Sequence, residues 1–379
     1  MKRRQFLKVL GSSAVIASPV LSGCDGGSDS ADPYRVWREA GTGETPVVRA
    51  LSWALLAPNP HNRQPWQVAL HGPRSATLYA DPGRKLPATD PFERQITIGL
   101  GAFVELMRLA AAADGEQLQV DWFPDGSDAS RLDARPVAML TLAPGGVADP
   151  LFTAAAARRT TRGTYTETPV AAGALEDVIA AVGEIAGLRW GNTVDADPVA
   201  SLNALAVRAF EREIDTDAAY LESAELMRIG EREVAENPDG IALRGAFFEW
   251  MRRLRLISHA GLRDLDGSAR QTGRDLAKEL ESGRGHVWLV SAGNSREDQV
   301  RAGAAYLRLN LAATQAGLAM QPLSQALQEY PEMAGEYAEA RTAFDAGEAE
   351  TVQMWARVGY AEAAPAAPRW PLTSRVLPA

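Results

Sequence analysis

Apolar and polar positions along the chain fall into helical and strand-like periods that occur twice in the same order. Val47 to Ala57 carries apolar residues at helical spacing, with Thr45 as N-cap, Pro46 in the first turn and Pro58 as a stop. Short runs at Trp66 to Leu70 and Ala76 to Tyr79 predict strands. Asp90 to Ala113 predicts a long apolar-striped helix ended by Gly115, followed by strands at Leu118 to Phe123 and Pro136 to Leu142. The order then restarts. Asp149-Pro150 opens a helix running to about Arg158, and Ala172 to Ile185 is helical. Residues 197 to about 280 are mostly helical and densely charged. A strand at His286 to Val290 precedes a second long helix, Glu297 to Ala316, closed by Gly317. A last strand, Val352 to Tyr360, leads into a Pro/Ala tail.

This alternation predicts an α+β fold, and the long helices look like copies. At a spacing of 202 residues Arg94 aligns with Arg296, Gly101-Ala102 with Gly303-Ala304, Leu109-Ala110-Ala111 with Leu311-Ala312-Ala313, Gly115 with Gly317, and Gln119 with Gln321. Alanine-rich helices match by chance, so the order of the flanking elements has to carry the repeat.

The N-terminal residues change the picture of compartment. Lys2-Arg3-Arg4-Gln5-Phe6-Leu7-Lys8 resembles a twin-arginine export signal, and the weakly apolar run Val9 to Leu21 is too short and polar to span a bilayer. Leu21-Ser22-Gly23-Cys24 resembles the lipobox of bacterial lipoproteins, which makes Cys24, the sole cysteine, the expected lipidation site. Residues 1–23 are then the signal and 24–45, rich in Gly, Ser and Asp at the start, a flexible tether. An exported, periplasmic protein lipid-anchored at the inner membrane is the expectation. Without Lys2, Arg3, Arg4 and Lys8 the formal net charge goes from −9 to −13, which argues against a nucleic-acid partner and against electrostatic adhesion to anionic lipid, so that contact with a membrane is expected through the lipid anchor only.

Four stretches carry candidate chemistry. Ala57-Pro58-Asn59-Pro60-His61-Asn62-Arg63-Gln64-Pro65-Trp66 is a proline-stiffened loop whose amides, Asn59, Asn62 and Gln64, offer rigidly held hydrogen-bond donors and acceptors. Arg158-Arg159-Thr160-Thr161-Arg162 clusters guanidiniums suited to a phosphate. Gly317-Leu318-Ala319-Met320-Gln321-Pro322-Leu323-Ser324 follows the second long helix, and Pro368-Arg369-Trp370-Pro371-Leu372 lies near the end. Taken singly, each also fits a bland role: a loop around a buried Trp66, a basic helix end, a helix-to-loop connection, a surface arginine.

Taken together and in order, they resemble the nitroreductase family, with its A-P-S-x-x-N-x-Q-P-W, R-R-S-x-R and terminal R-R-P-L segments, and most closely its Acg-like branch. The second terminal arginine is Trp370 here, so only Arg369 carries over. The resemblance implies a nitroreductase-like fold built as two fused repeats, 46–148 and 149–379, forming an intramolecular pseudo-dimer that is a monomer as a chain. The helical stretch at about 197–280 is then an insertion, a candidate lid. It implies one FMN per chain: Pro58, Asn59, Pro60, Asn62 and Gln64 from the first repeat at the ring; Arg158, Arg159, Thr160, Arg162 and Arg369 at the phosphate; Pro322, Leu323 and Ser324 against the isoalloxazine. The implied function is an exported FMN-dependent oxidoreductase with a small-molecule or membrane redox partner; the alternatives are a flavin-holding protein without turnover and a structural lipoprotein whose site has decayed. The compartment and the charged insertion argue against efficient reduction by NAD(P)H. His61, His71, His259 and His286 show no metal-ligand spacing, and no nucleophile elbow, phosphate loop or dinucleotide fingerprint is present.

Overall fold

The computed structural model describes residues 32–378, so the signal-like residues 1–23 and Cys24 lie outside the described residues. In the first half α1 (Arg35–Arg38) and α2 (Pro46–Ala54) precede strands β1 (Trp66–Leu70) and β2 (Ser75–Ala80), and α3 (Arg94–Ala113) leads into β3 (Glu116–Trp122) and β4 (Ala138–Pro144). The second half begins with α4 (Ala174–Val182) and β5 (Leu188–Thr193). A helical excursion follows: α5 (Ala196–Asp215), α6 (Asp217–Glu225), β6 (Met227–Ile229), α7 (Gly230–Glu236), β7 (Ile241–Leu243), α8 (Ala246–Arg253), α9 (His259–Leu262) and α10 (Ser268–Ala277). Then come β8 (Gly285–Ser291), α11 (Arg296–Gln315), β9 (Ala319–Pro322), α12 (Ala334–Ala343) and β10 (Thr351–Gly359).

Eight of the strands form two four-stranded sheets, ordered β1-β2-β4-β3 and β5-β8-β10-β9, with every adjacent pair antiparallel, while β6 and β7 pair in parallel as a two-stranded sheet within the excursion. The orders coincide when β1 is matched with β5, β2 with β8, β3 with β9 and β4 with β10. The long helix falls at the same place in each: between β2 and β3, and between β8 and β9. The α+β class and the internal repetition expected from the sequence are both present. Residues 71–74 join β1 to β2, whereas the matching connection between β5 and β8 contains the entire helical excursion.

The halves meet where α3 crosses α11. A methyl on Gly101 would sit 2.2 Å from the Val300 carbonyl oxygen, and one on Gly303 2.0 Å from that of Ile98. The two glycines are 202 residues apart, and so are Ile98 and Val300. The contact is therefore reciprocal, and only glycine permits this backbone approach. The buried pair Arg94 and Arg296 repeats the exchange. Arg94 reaches the Glu329 carboxylate at 3.0 Å and the carbonyls of Leu327 and Gln353 in the second half. Arg296 reaches the Glu93 carbonyl at 3.1 Å and Thr97 Oγ1 at 2.8 Å in the first. One core cluster spans both halves, from Trp66 and Phe103 to Leu311 and Val358. α3 is long and apolar enough to cross a membrane, but it is mostly buried in this core. The chain end returns to the first half: Val68 bonds to Arg375 and Leu377 as a parallel bridge that caps the β1 edge.

Two expectations need correction, and some elements have no expectation at all. The helix expected from 149 to about 158 is a short 3-10 turn, Pro150–Ala154, and the chain beyond it is not helical, with Arg158 buried and Arg162 exposed. The tether assigned to 24–45 is packed from residue 32: Val36 is buried, Trp37 Nε1 donates to the Ala367 carbonyl at 2.8 Å, and Arg369 N donates to that of Pro33. Strands β5 and β9 and helix α12 lack a prediction. β5 is half-buried at every position and contains Gly191, and β9 is four residues ending in Pro322, so neither shows strand alternation.

Candidate cofactor site

After α2 the chain takes a strained path. His61, Asn62 and Gln64 adopt φ of 47°, 52° and 52°, the left-handed region that non-glycine residues rarely occupy. Amide bonds hold it there. Asn59 Oδ1 accepts from Gln64 N at 2.7 Å, and Asn59 Nδ2 donates to the Ala57 carbonyl at 3.1 Å. Asn62 Nδ2 donates to the Pro368 carbonyl at 3.0 Å, while its Oδ1 accepts from Arg369. Gln64 is fully buried, and both ends of its amide are engaged by protein: Nε2 donates to the Pro238 carbonyl at 2.7 Å and Oε1 accepts from Trp370 N at 2.8 Å. Gln64 thus pins the loop to the excursion and to the C-terminal segment. Pro58, Asn59, Pro60 and Asn62 stay half-buried. Gly99 of α3 lets the loop in, since a methyl there would touch Asn59 Cβ at 3.2 Å and Pro60 Cδ at 3.3 Å.

Four arginines converge beneath this loop. Arg158 is buried; its Nη2 donates to the Leu56 carbonyl at 3.0 Å, and its Nε has no partner. Arg369 is buried and donates to the Leu55 carbonyl at 2.8 Å. Burial pulls Arg158 down to about 10 and Arg369 to about 9, with the neighbouring guanidiniums adding to it. Arg159 donates to the carbonyls of Ala156 and Arg158 and stacks 4.4 Å from the Trp37 ring centre. Arg162 is solvent-accessible, yet surrounding protein still lowers its pKa, the signature of a group in a recess. None of the four has a carboxylate partner among the described residues, whereas ion pairs engage many of the chain's other arginines. The buried Tyr306 hydroxyl and Asn310 Nδ2, one turn apart on α11, also lack partners. Burial pushes Tyr306 up to about 12.

The remaining predicted residues adjoin this cluster. Thr161 N donates to the Met320 carbonyl at 3.0 Å, and Arg357 Nη2 donates to the carbonyls of Arg162 and Gly163 at 2.9 and 2.8 Å. The arginine segment therefore runs along the edge strand β9, next to Pro322, Leu323 and Ser324. Thr160 there is half-buried. The Leu323 amide is taken by the Trp355 carbonyl at 2.8 Å and its side chain lies in the core, so it offers a ligand no free donor; the Ser324 hydroxyl makes no cap bond.

Sequence reasoning missed Trp37, His61, Tyr306 and Asn310. His61 Nε2 lies 3.1 Å from Ser223 Oγ on α6, and burial, then Arg162 and Arg63, push its pKa down to about 4. The only available signal for Tyr306 and Asn310 was two polar tips four residues apart on an otherwise apolar stripe.

No protein-family model matches the chain. The Mycobacterium tuberculosis protein Rv3131, named as an NAD(P)H nitroreductase, is 33% identical over 127 residues, covering 34% of this chain and 36% of that protein. Acg of the same organism, also named as an NAD(P)H nitroreductase, is 36% identical over 85 residues, 22% of this chain and 25% of that protein. The chain thus matches about a third or less of the length of these curated relatives. A solved structure of the FMN-dependent nitroreductase NfnB from Mycobacterium smegmatis, in complex with NADPH, is 19% identical with a TM-score of 0.34, over 57% of this chain and 92% of that one.

Proposed function

We propose that this chain is a nitroreductase-like, FMN-dependent oxidoreductase that binds one FMN between its halves. One observation carries the reading: Arg158, Arg159, Arg162 and Arg369 gather without a carboxylate, in an acidic chain, beside the unpartnered Arg158 Nε, Tyr306 hydroxyl and Asn310 Nδ2. Cations collected this way repel one another and bear a desolvation cost, which an anionic phosphate with several acceptor oxygens offsets. The donor set fits that group. Arg158, Arg162, Arg369 and Thr160 would hold the phosphate, with Arg159 at its flank. Pro58, Asn59, Pro60 and Asn62 would face the ring on one side and Pro322 and Ser324 on the other, while Gln64 fixes the loop. Bound FMN supplies two-electron redox chemistry. The protein's part is to orient the ring, exclude water and keep His61 neutral beside Arg162. The motifs and the names of the relatives support the same reading.

A second reading is a flavin-holding protein without turnover. It is favoured by the way the excursion reaches the loop: Ser223 meets His61, Pro238 meets Gln64, and Gly240 N donates to the Asn62 carbonyl at 3.2 Å. The same roofing supports the expectation of slow reduction by NAD(P)H. Export by the twin-arginine route, lipidation of Cys24 and a periplasmic, inner-membrane location complete the proposal, together with a monomeric chain.

FMN titration of the purified protein tests it. We expect one FMN per chain and a 10- to 100-fold loss of affinity, roughly, in Arg162→Ala, the effect of removing one charge-assisted contact. A stoichiometry of two, or unchanged affinity, overturns the composite site. Anaerobic reduction by NADPH, a quinol analogue and dithionite then separates the readings. Fast reduction with turnover on a quinone or nitroaromatic supports the enzyme, and reduction by dithionite alone supports the flavin holder.

A further inference from the structure

We propose that α8 and the turn after it, residues 246–256, form a docking surface for an anionic lipid bilayer; this extends the membrane-tethered reading given above. The residues Ala246-Phe247-Phe248-Glu249-Trp250-Met251-Arg252-Arg253-Leu254-Arg255-Leu256 combine a buried Met251 with Trp250, Leu254 and Leu256, which are 47%, 52% and 59% exposed. Seven large apolar side chains are exposed among the described residues, and these three fall within seven positions of one another. A patch of this kind marks an interaction surface.

Charge selects the occupant. The acidic chain, of net charge −9, is as a whole a poor match for anionic lipid, and this segment is the local exception: residues 244–256 hold four arginines, Arg244, Arg252, Arg253 and Arg255, against the single carboxylate Glu249. The acids nearby are engaged by protein. Glu249 pairs with Arg252 at 2.9 Å and accepts from Glu231 N at 2.7 Å, and Glu231 accepts from Gly245 N at 3.2 Å. Arg253 and Arg255 are exposed and have no carboxylate partner among the described residues. The turn is held open by backbone bonds from Arg255 N to the Arg252 carbonyl and from Leu256 N to that of Met251, with Arg255 at a left-handed φ of 56°. Tryptophan and leucine flanked by arginines, lying in the plane of the interface, is the composition that binds anionic membranes.

The point where the chain enters the fold gives the third argument. The Tyr34 ring lies 4.7 Å from the Arg244 guanidinium, two residues before α8. Cys24 precedes Asp32 by eight residues, a span of at most about 29 Å when extended. A lipid on Cys24 would hold this face, rather than the far side of the molecule, at the headgroups.

The test uses a chain beginning at Asp25, which lacks the lipid yet contains every described residue. It is sedimented with vesicles of phosphatidylglycerol and phosphatidylethanolamine (3:7) and with pure phosphatidylcholine. We expect co-sedimentation with the anionic vesicles only, at low salt, and quenching of Trp250 by brominated lipid that disappears in Trp250→Phe. Arg253→Gln and Arg255→Gln each weaken binding about five-fold, and Trp250→Ser with Leu254→Ser removes it. Circular dichroism checks that these exposed substitutions leave the fold intact. Absence of binding to anionic vesicles, equal binding to phosphatidylcholine, or unchanged binding in the two arginine variants and in the Trp250→Ser/Leu254→Ser variant overturns the docking surface. Intact mass at Cys24 in cells judges the tether separately: an unmodified Cys24 overturns the anchor while the vesicle result still decides the surface.

Discussion

Glu213 shows how a single buried carboxyl ties the excursion to the body of the molecule. It lies on α5, buried, and its Oε2 accepts from Gln328 Nε2 at 2.7 Å. Burial, and then the Glu222 charge, raise its pKa from 4.5 to about 7. A raised folded pKa means that the native state keeps a proton which the unfolded chain releases. Stability therefore falls as pH rises from about 4.5 to about 7. Glu213→Gln keeps the shape without the titration. We expect it to match the wild type at pH 4 and to exceed it by on the order of 2 kcal/mol at pH 8 in urea unfolding; a pH-independent difference would assign the effect to packing. Residues differ in how far the chain announces such roles. The arginine cluster and the Asn59 to Gln64 loop are legible because their residue types are rare together and locally spaced. The roles of Glu213, Tyr306 and Gln64 are not, because each depends on groups more than a hundred residues away in the chain: the Gln328 amide, the nearby Arg158 charge and the Pro238 carbonyl.

Among the elements, the α3–α11 crossing makes the sharpest demand. Gly303→Ala would drive a methyl into the Ile98 carbonyl at 2.0 Å, and Gly101→Ala one into that of Val300. Both atoms are backbone and cannot rotate away. We expect each variant to lose about 3 kcal/mol or more, the upper end of overpacking costs, seen as a fall in thermal midpoint with or without FMN. Gly99→Ala is the contrast: its methyl meets Asn59 Cβ and Pro60 Cδ at 3.2 and 3.3 Å, so it should disturb the loop more than the fold. Both long helices were legible from their stripes and terminal glycines. Their reciprocal contact was implied by the 202-residue spacing but could not be read from it, because alanine-rich helices repeat without touching. β5 and β9 were illegible for a different reason: β5 is half-buried at every position and holds Gly191, and β9 is a four-residue edge strand with the arginine segment bonded along it, so neither alternates.

At the scale of the molecule, two copies of one topology have divided their labour. The first half supplies the strained amide loop, and the second supplies the arginines and the surface proposed to face lipid. The copies still share a ground plan, and the 71–74 hairpin occupies the position that the other sheet fills with its helical excursion. His71, Gly72 and Pro73 are exposed, and nothing lies within 4 Å of a methyl on Gly72, whereas the Pro73 carbonyl accepts from Val47 N at 3.1 Å. The hairpin is thus a second port of the same kind as the filled one. A small, independently folding domain with neighbouring ends, spliced after Gly72, should leave the FMN affinity unchanged and the melting temperature within a few degrees, roughly the cost of lengthening a surface loop. The same splice after Gly317, where the chain leads into β9 and the arginine segment, should abolish binding. A connection that carries a whole helical excursion in one sheet leaves room for added chain at the matching place in the other, which makes the hairpin the place to install a reporter of flavin occupancy.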